Sequence, residues 1–109
     1  MSVELLWWEG CPSHPRAREM LSEALGALGR DPEGWEAVEV TEQAEAAAQE
    51  FAGSPTFRVQ GRDLFPPAER EEAGLSCRVY KLPDGRISPL PDAGELRAAL
   101  SRALEEDSP

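Results

Sequence analysis

The opening run SVELLWW, bounded by Glu9 and Gly10, is short, apolar and rich in strand formers, and it predicts a buried β-strand. From Ala17 the period changes. Ala17, Met20, Leu21, Ala24, Leu25 and Leu28 recur at the i, i+3, i+4, i+7 spacing of one helical face, and Gly29 ends the run before the turn RDPEG. Alternation returns in WEAVEV, where Trp35, Ala37, Val38 and Val40 are interleaved with glutamates, predicting a second strand with one partly solvated face. In TEQAEAAAQEF, Thr41 is placed to cap a short helix. Its small face, Ala44, Ala47, Ala48 and Phe51, implies close approach to a neighbouring element, and Gly53 closes it.

PTFRVQG reads as a third strand and SCRVYKL as a fourth, expected to run antiparallel to it after the irregular connection RDLFPPAEREEAG. Within that connection Leu64 and Phe65, beside two prolines, are read as a cover for the sheet edge. The pair Asp84-Gly85 either turns a hairpin or ends an edge strand. PDAGELRAALSRALEE predicts a last helix with Asp92 as N-cap, Glu95 three residues on, and Leu96, Ala99, Leu100, Ala103 and Leu104 on one face, followed by a frayed EDSP tail. The order strand, helix, strand, helix, strand, strand, helix predicts one α/β domain over residues 1–109, a central mixed four-stranded sheet flanked by three helices. Its βαβ unit supplies a parallel pair.

Charge narrows the partners. The 109 residues carry 11 Lys plus Arg against 21 Asp plus Glu, a formal net charge of -10 that repels phosphate backbones and anionic headgroups. Neither nucleic acid nor membrane is an expected partner. The N-terminal segment has no basic leader and no stretch is long enough to cross a bilayer, so a soluble, cytoplasmic protein is expected. Two cysteines and one histidine fall short of a four-ligand structural zinc site, and no metal is expected.

The candidate chemistry lies in GCPSH. Cys11 sits where the first strand hands over to the first helix, and a helix start favours a thiolate through its unpaired N–H groups. Pro12 is compatible with a first helical position, whereas Pro15 biases His14 toward extended backbone and can delay the regular helix. His14 can face Cys11 across one turn and either favour the thiolate or shuttle its proton. The plainer alternative is a small buried cysteine and a solvent-exposed turn histidine. Arg16 and Arg18 either raise the local potential, bind a carboxylate such as that of glutathione, or, more plainly, serve as surface charge.

LLWWEGCPSH after a first strand, a long first helix, and GSPTF opening a third strand together resemble the thioredoxin fold over nearly the whole chain. The chain is similar in particular to small EGCP-motif thioredoxin-like proteins, some of them described as alkylmercury-lyase-like. The resemblance implies that Cys11 is the catalytic thiol and that Pro55 is cis; His14, facing it in C-P-S-H, is expected to join it as a catalytic residue by modulating its protonation. The resemblance also implies that Ser54, Pro55 and Thr56, with Pro12, receive an extended substrate or glutathione beside the sulfur. The usual second cysteine of the motif is replaced by His14, so two routes remain: a monothiol exchange resolved by an external thiol, or recruitment of Cys77 as resolving thiol. An antiparallel fourth strand would start Cys77 at the end remote from Cys11, so burial as a small hydrophobe is the expectation for Cys77. The function expected is that of a thiol-dependent oxidoreductase or thiol-transfer protein acting on a protein disulfide or a small thiol. It needs no resident cofactor, with glutathione at most a co-substrate. A redox-inactive binding or adaptor module, and soft-metal or mercury handling, are the alternatives.

Overall fold

The computed structural model describes residues 3–66 and 74–106. In chain order the elements are β1 (Val3–Trp7), α1 (His14–Ala27), β2 (Glu36–Glu39), α2 (Gln43–Ala48), β3 (Thr56–Val59), β4 (Arg62–Asp63), β5 (Tyr80–Lys81), β6 (Ile87–Ser88) and α3 (Ala93–Glu106). The first four strands form a mixed sheet in the order β2-β1-β3-β4, and β5 pairs with β6 in a separate ribbon. Most of the frayed tail expected at EDSP, and residues 67–73 of the expected irregular connection, lie outside the described residues.

β1 is the central strand because it is apolar on both faces. It pairs in parallel with β2, placing Leu5 beside Ala37, and antiparallel with β3, placing Leu5 beside Phe57 and Leu6 beside Thr56. Strand alternation then sends Val3 and Leu5 to one face and Leu6 to the other. The first face meets Ala17, Met20, Leu21, Ala24 and Leu25 of α1 and Leu96, Leu100 and Leu104 of α3, with Phe57, Val59 and Tyr80 completing the cluster. A smaller cluster on the second face joins Leu6 to Val40, Ala46 and Phe51, with Trp8, Val38 and Leu75 packed against it. The sheet is therefore covered by α1 and α3 on one side and by α2 on the other.

α3 starts as its sequence predicts: the Glu95 N–H donates to Asp92 Oδ2 at 3.0 Å and the Leu96 N–H to Asp92 O at 2.9 Å. α2 departs from expectation. It is only six residues long, and Ala46 and Phe51 are its buried contacts, whereas Ala44, Ala47 and Ala48 are exposed. The chain leaves the helix through Glu50 at φ 52°, so Phe51 does not continue the helical face. Arg58 closes this end by donating from Nη2 to Gln49 O at 2.5 Å and Glu50 O at 3.2 Å.

The fourth strand is also elsewhere than expected. Gln60 and Gly61 both take positive φ, 53° and 76°, so the chain reverses directly after β3 and Arg62–Asp63 pairs with Arg58–Val59. Leu64 and Phe65 then pack against the main core. SCRVYKL is not a strand of the main sheet; its Tyr80 and Lys81 form the ribbon with β6. Asp84-Gly85 turns this hairpin, with Gly85 at φ 91° and the Gly85 N–H donating to Leu82 O at 2.9 Å.

Arg78 anchors this segment. Its guanidinium, 6% exposed, pairs with Asp63 Oδ2 at 2.7 Å, donates to Thr56 Oγ1 at 3.3 Å and to Phe65 O, and lies over the Tyr80 ring. Replacing Arg78 with leucine leaves the Asp63 carboxylate, 17% exposed, without its cation. The expected loss in unfolding free energy is about 3 kcal/mol by urea denaturation. An unchanged midpoint and slope would show that the pair contributes nothing to the fold.

Candidate functional site

The turn that carries Cys11 is held by its own backbone and by one aromatic ring. After β1 the Cys11 N–H donates to Trp8 O at 3.0 Å, and the Trp8 indole lies so close over Gly10 that a β-carbon there would collide with it. α1 then begins at His14 with Ser13 as N-cap and Pro15 in the first turn. The Ser13 hydroxyl makes no capping bond. It lies instead 3.2 Å from Cys11 Sγ.

The second wall of the site is the loop entering β3. Its Ser54–Pro55 peptide is cis, and the Cys11 thiol donates to Ser54 O at 3.4 Å. Gly53 permits the third wall. At φ 123° it passes so near the neighbouring chain that a β-carbon would come within 3.0 Å of Arg78 Cβ and 3.1 Å of its backbone. Across this contact Ser54 pairs with Cys77 in a parallel bridge, the Ser54 N–H donating to Ser76 O and the Arg78 N–H to Ser54 O, both at 2.8 Å.

The bridge corrects the placement of Cys77. Residues 76–78 run parallel to the loop before β3, and Arg78 fixes them there, so Cys77 lies beside Ser54 rather than remote from it. Nor is Cys77 buried: it is an exposed free thiol on the segment bridged to Ser54, the residue whose carbonyl accepts the Cys11 thiol. Cys11 is covered, at 1% exposure, but polar groups surround its sulfur.

Those groups set the protonation of the pair. Burial alone raises the Cys11 thiol. Hydrogen bonds from the Ser13 side chain, Cys77, the Ser13 backbone and the Ser54 side chain outweigh it, and the net shift is downward. Ser54 Oγ is itself buried with no hydrogen-bond partner in the uncharged site, so its hydroxyl is free to turn toward a thiolate. Cys77 shifts the other way. Its hydrogen bond to Cys11, then burial, then the charge on Cys11 push it up to about 11. Of the two sulfurs, Cys11 is therefore the one that ionises first as pH rises.

The expected substrate cradle is not open. Both backbone groups of Ser54 are taken by Ser76 and Arg78. The Thr56 hydroxyl donates to Gly53 O at 2.6 Å, and the Pro55 carbonyl accepts from the buried Tyr80 hydroxyl, whose titration burial raises well above the ordinary tyrosine range. Ser54, Pro55 and Thr56 are all buried, so they shape the site without presenting a free edge; Pro12 is exposed beside the sulfur. His14 is not among the sulfur's hydrogen-bond partners. Its ring stacks on Trp7 at 4.5 Å, Arg18 lies over the same indole at 4.9 Å, and His14 Nδ1 is buried without a partner. The i, i+4 spacing of His14 and Arg18 on α1 brings both to Trp7. Arg16 pairs with Glu19 and Glu23 at the surface.

Ser13, Arg78 and Tyr80 are site-building residues that the sequence reading passed over, although Ser13 stands inside CPSH and the other two inside CRVY. Among the described residues no three His, Cys, Asp or Glu side chains converge as a metal site, and no helix is long and apolar enough to cross a membrane. No family model, curated protein or solved structure matches the chain.

Ser13→Ala removes a donor to the thiolate. The pH at which Cys11 reaches half its maximal alkylation rate is expected to rise, because a smaller lowering leaves the thiol protonated to higher pH. An unchanged profile, measured by peptide-resolved mass spectrometry, would remove Ser13 from the site.

Proposed function

We propose that the protein is a thiol–disulfide exchange protein of thioredoxin-like architecture, with Cys11 as its stabilised thiolate. The observation that carries this reading is the environment of one sulfur: a covered cysteine at the junction of β1 and α1, flanked by the Ser13 and Ser54 hydroxyls and by a second thiol. Hydroxyls that gain a hydrogen bond when the thiol ionises favour the thiolate, which is both the attacking and the better leaving form in disulfide exchange. The sheet order β2-β1-β3-β4, with helices on both faces and the Ser54-Pro55 loop against the cysteine turn, supports the architecture.

The substrate class is a thiol or disulfide, carried by a small molecule such as glutathione or by a protein side chain. In this reading His14 is a positioning residue that holds the start of α1 against Trp7, and the reaction draws its proton balance from the two sulfurs.

The test is the pH dependence of Cys11 alkylation. Half-maximal rate is expected at a pH below the free-cysteine value of about 8.5, since a lowered thiol ionises earlier as pH rises. A Cys11 that titrates at or above that value, or that resists alkylation throughout, overturns the proposal.

A further inference from the structure

We propose that Cys77 is the redox partner of Cys11, the two sulfurs closing a reversible intramolecular disulfide in which exposed Cys77 is the atom that external thiols attack and Cys11 is the leaving thiolate. The inference rests on the thiol-exchange reading above and assigns the second half of its chemistry.

Geometry carries the pairing. The Ser54–Cys77 bridge sets residue 77 one strand spacing, about 4.8 Å, from the backbone whose carbonyl accepts the Cys11 thiol. Both hydrogen bonds of that bridge are 2.8 Å, and the neighbouring Arg78 is locked by Asp63, Thr56 and Phe65. Segment 76–78 therefore occupies the ground beside the sulfur where an extended substrate was expected, and it presents a cysteine there. Two free thiols from elements far apart in sequence thus meet at Ser54, one bonded to its carbonyl and the other on the segment bridged to it.

Exposure and stabilisation assign the roles. An incoming thiolate reaches Cys77, which is exposed, and not Cys11, which is covered. Attack of RS⁻ on Cys77 Sγ forms the Cys77–S–S–R bond, breaks the Cys11–Cys77 bond and sends the electron pair to Cys11, where the Ser13 and Ser54 hydroxyls receive the charge. A second RS⁻ attacks the R sulfur, forms RSSR and releases Cys77, which takes up a proton. Two external thiols are oxidised to one disulfide and the protein disulfide is reduced to two thiols. A small-molecule disulfide reverses the sequence and restores the oxidised form. Exchange is fastest when the departing thiol has the lower pKa, so departure of Cys11 is the favoured direction of cleavage. While Cys11 is a thiolate its charge also keeps Cys77 protonated; once Cys11 is in a disulfide, that influence is gone.

The experiment uses the wild-type protein. Equilibration in glutathione buffers of graded potential, acid quench and mass spectrometry are expected to show both thiols lost in one transition, with a mass decrease of two hydrogen atoms. The oxidised protein is then mixed with reduced glutathione and quenched early with an alkylating reagent. The trapped intermediate is expected to carry glutathione on Cys77 and the alkyl group on Cys11. Glutathione on Cys11 with Cys77 still a free thiol, at equilibrium or in the trapped species, overturns the inference while leaving Cys11 as an exchange thiol. Failure of Cys11 to react with any disulfide or alkylating reagent overturns both readings. In the exposed-site variant Cys77→Ser, the two-hydrogen mass loss is expected to disappear; its persistence would rule out Cys77 as the partner.

Discussion

The guanidinium of Arg78 organises the region around the sulfur. A cation buried to this extent is tolerable only with a full set of acceptors, and Arg78 gathers them from two separate pieces of chain: Thr56 at the start of β3, and the stretch that carries Asp63 on β4 and the carbonyl of Phe65. Satisfying one charge therefore draws together the sheet edge, the loop before β3 and the segment leading into β5. Gly53 makes the approach feasible, because any side chain there would meet the backbone of residue 78. The location of Cys77 is a by-product of this arrangement, one residue from the anchor.

The site that results is preorganised for negative charge on a single atom. Ser13 gives up its capping bond to face the sulfur, and Ser54 keeps an idle hydroxyl beside it. Neither group is charged, so the bias toward thiolate comes from oriented dipoles and not from a neighbouring cation. The nearby arginines are engaged elsewhere, Arg16 with glutamates and Arg18 over an indole. Desolvation works against ionisation, and the hydrogen bonds outweigh it.

Much of the architecture is legible in the periodicity of the chain. β1, the long faces of α1 and α3, the Asp92 cap and the Asp84-Gly85 turn are all local signals with local causes, and each is found near its predicted place. The misplacements share a different cause. Glutamine is an unusual residue at positive φ, so the Gln60-Gly61 reversal carries a weak turn signal, and the alternation of SCRVYKL points to a fourth strand later in the chain than the one that forms. SCRVYKL alternates like a strand, but its alternation buries Arg78 among polar acceptors and Tyr80 in the main core with its hydroxyl on the Pro55 carbonyl, a pairing that no one-dimensional pattern announces. Cys11 and its place at the β1–α1 junction could be read from GCPSH. The Ser13, Ser54 and Cys77 contacts depend on which loops meet, and His14, the most conspicuous residue of the motif, is turned by Trp7 away from that role.

The collision that forbids a β-carbon at residue 10 places an indole directly on the hinge of the sulfur-bearing turn. Trp8 also touches the cluster under α2, so its ring spans from that packed interior to the backbone just ahead of Cys11. Any reshaping of this turn must slide the ring relative to its apolar neighbours and alter the solvent it meets. Were the proposed Cys11–Cys77 disulfide to close, Trp8 is the intrinsic fluorophore whose surroundings lie next to it, and no label would be needed to follow the change.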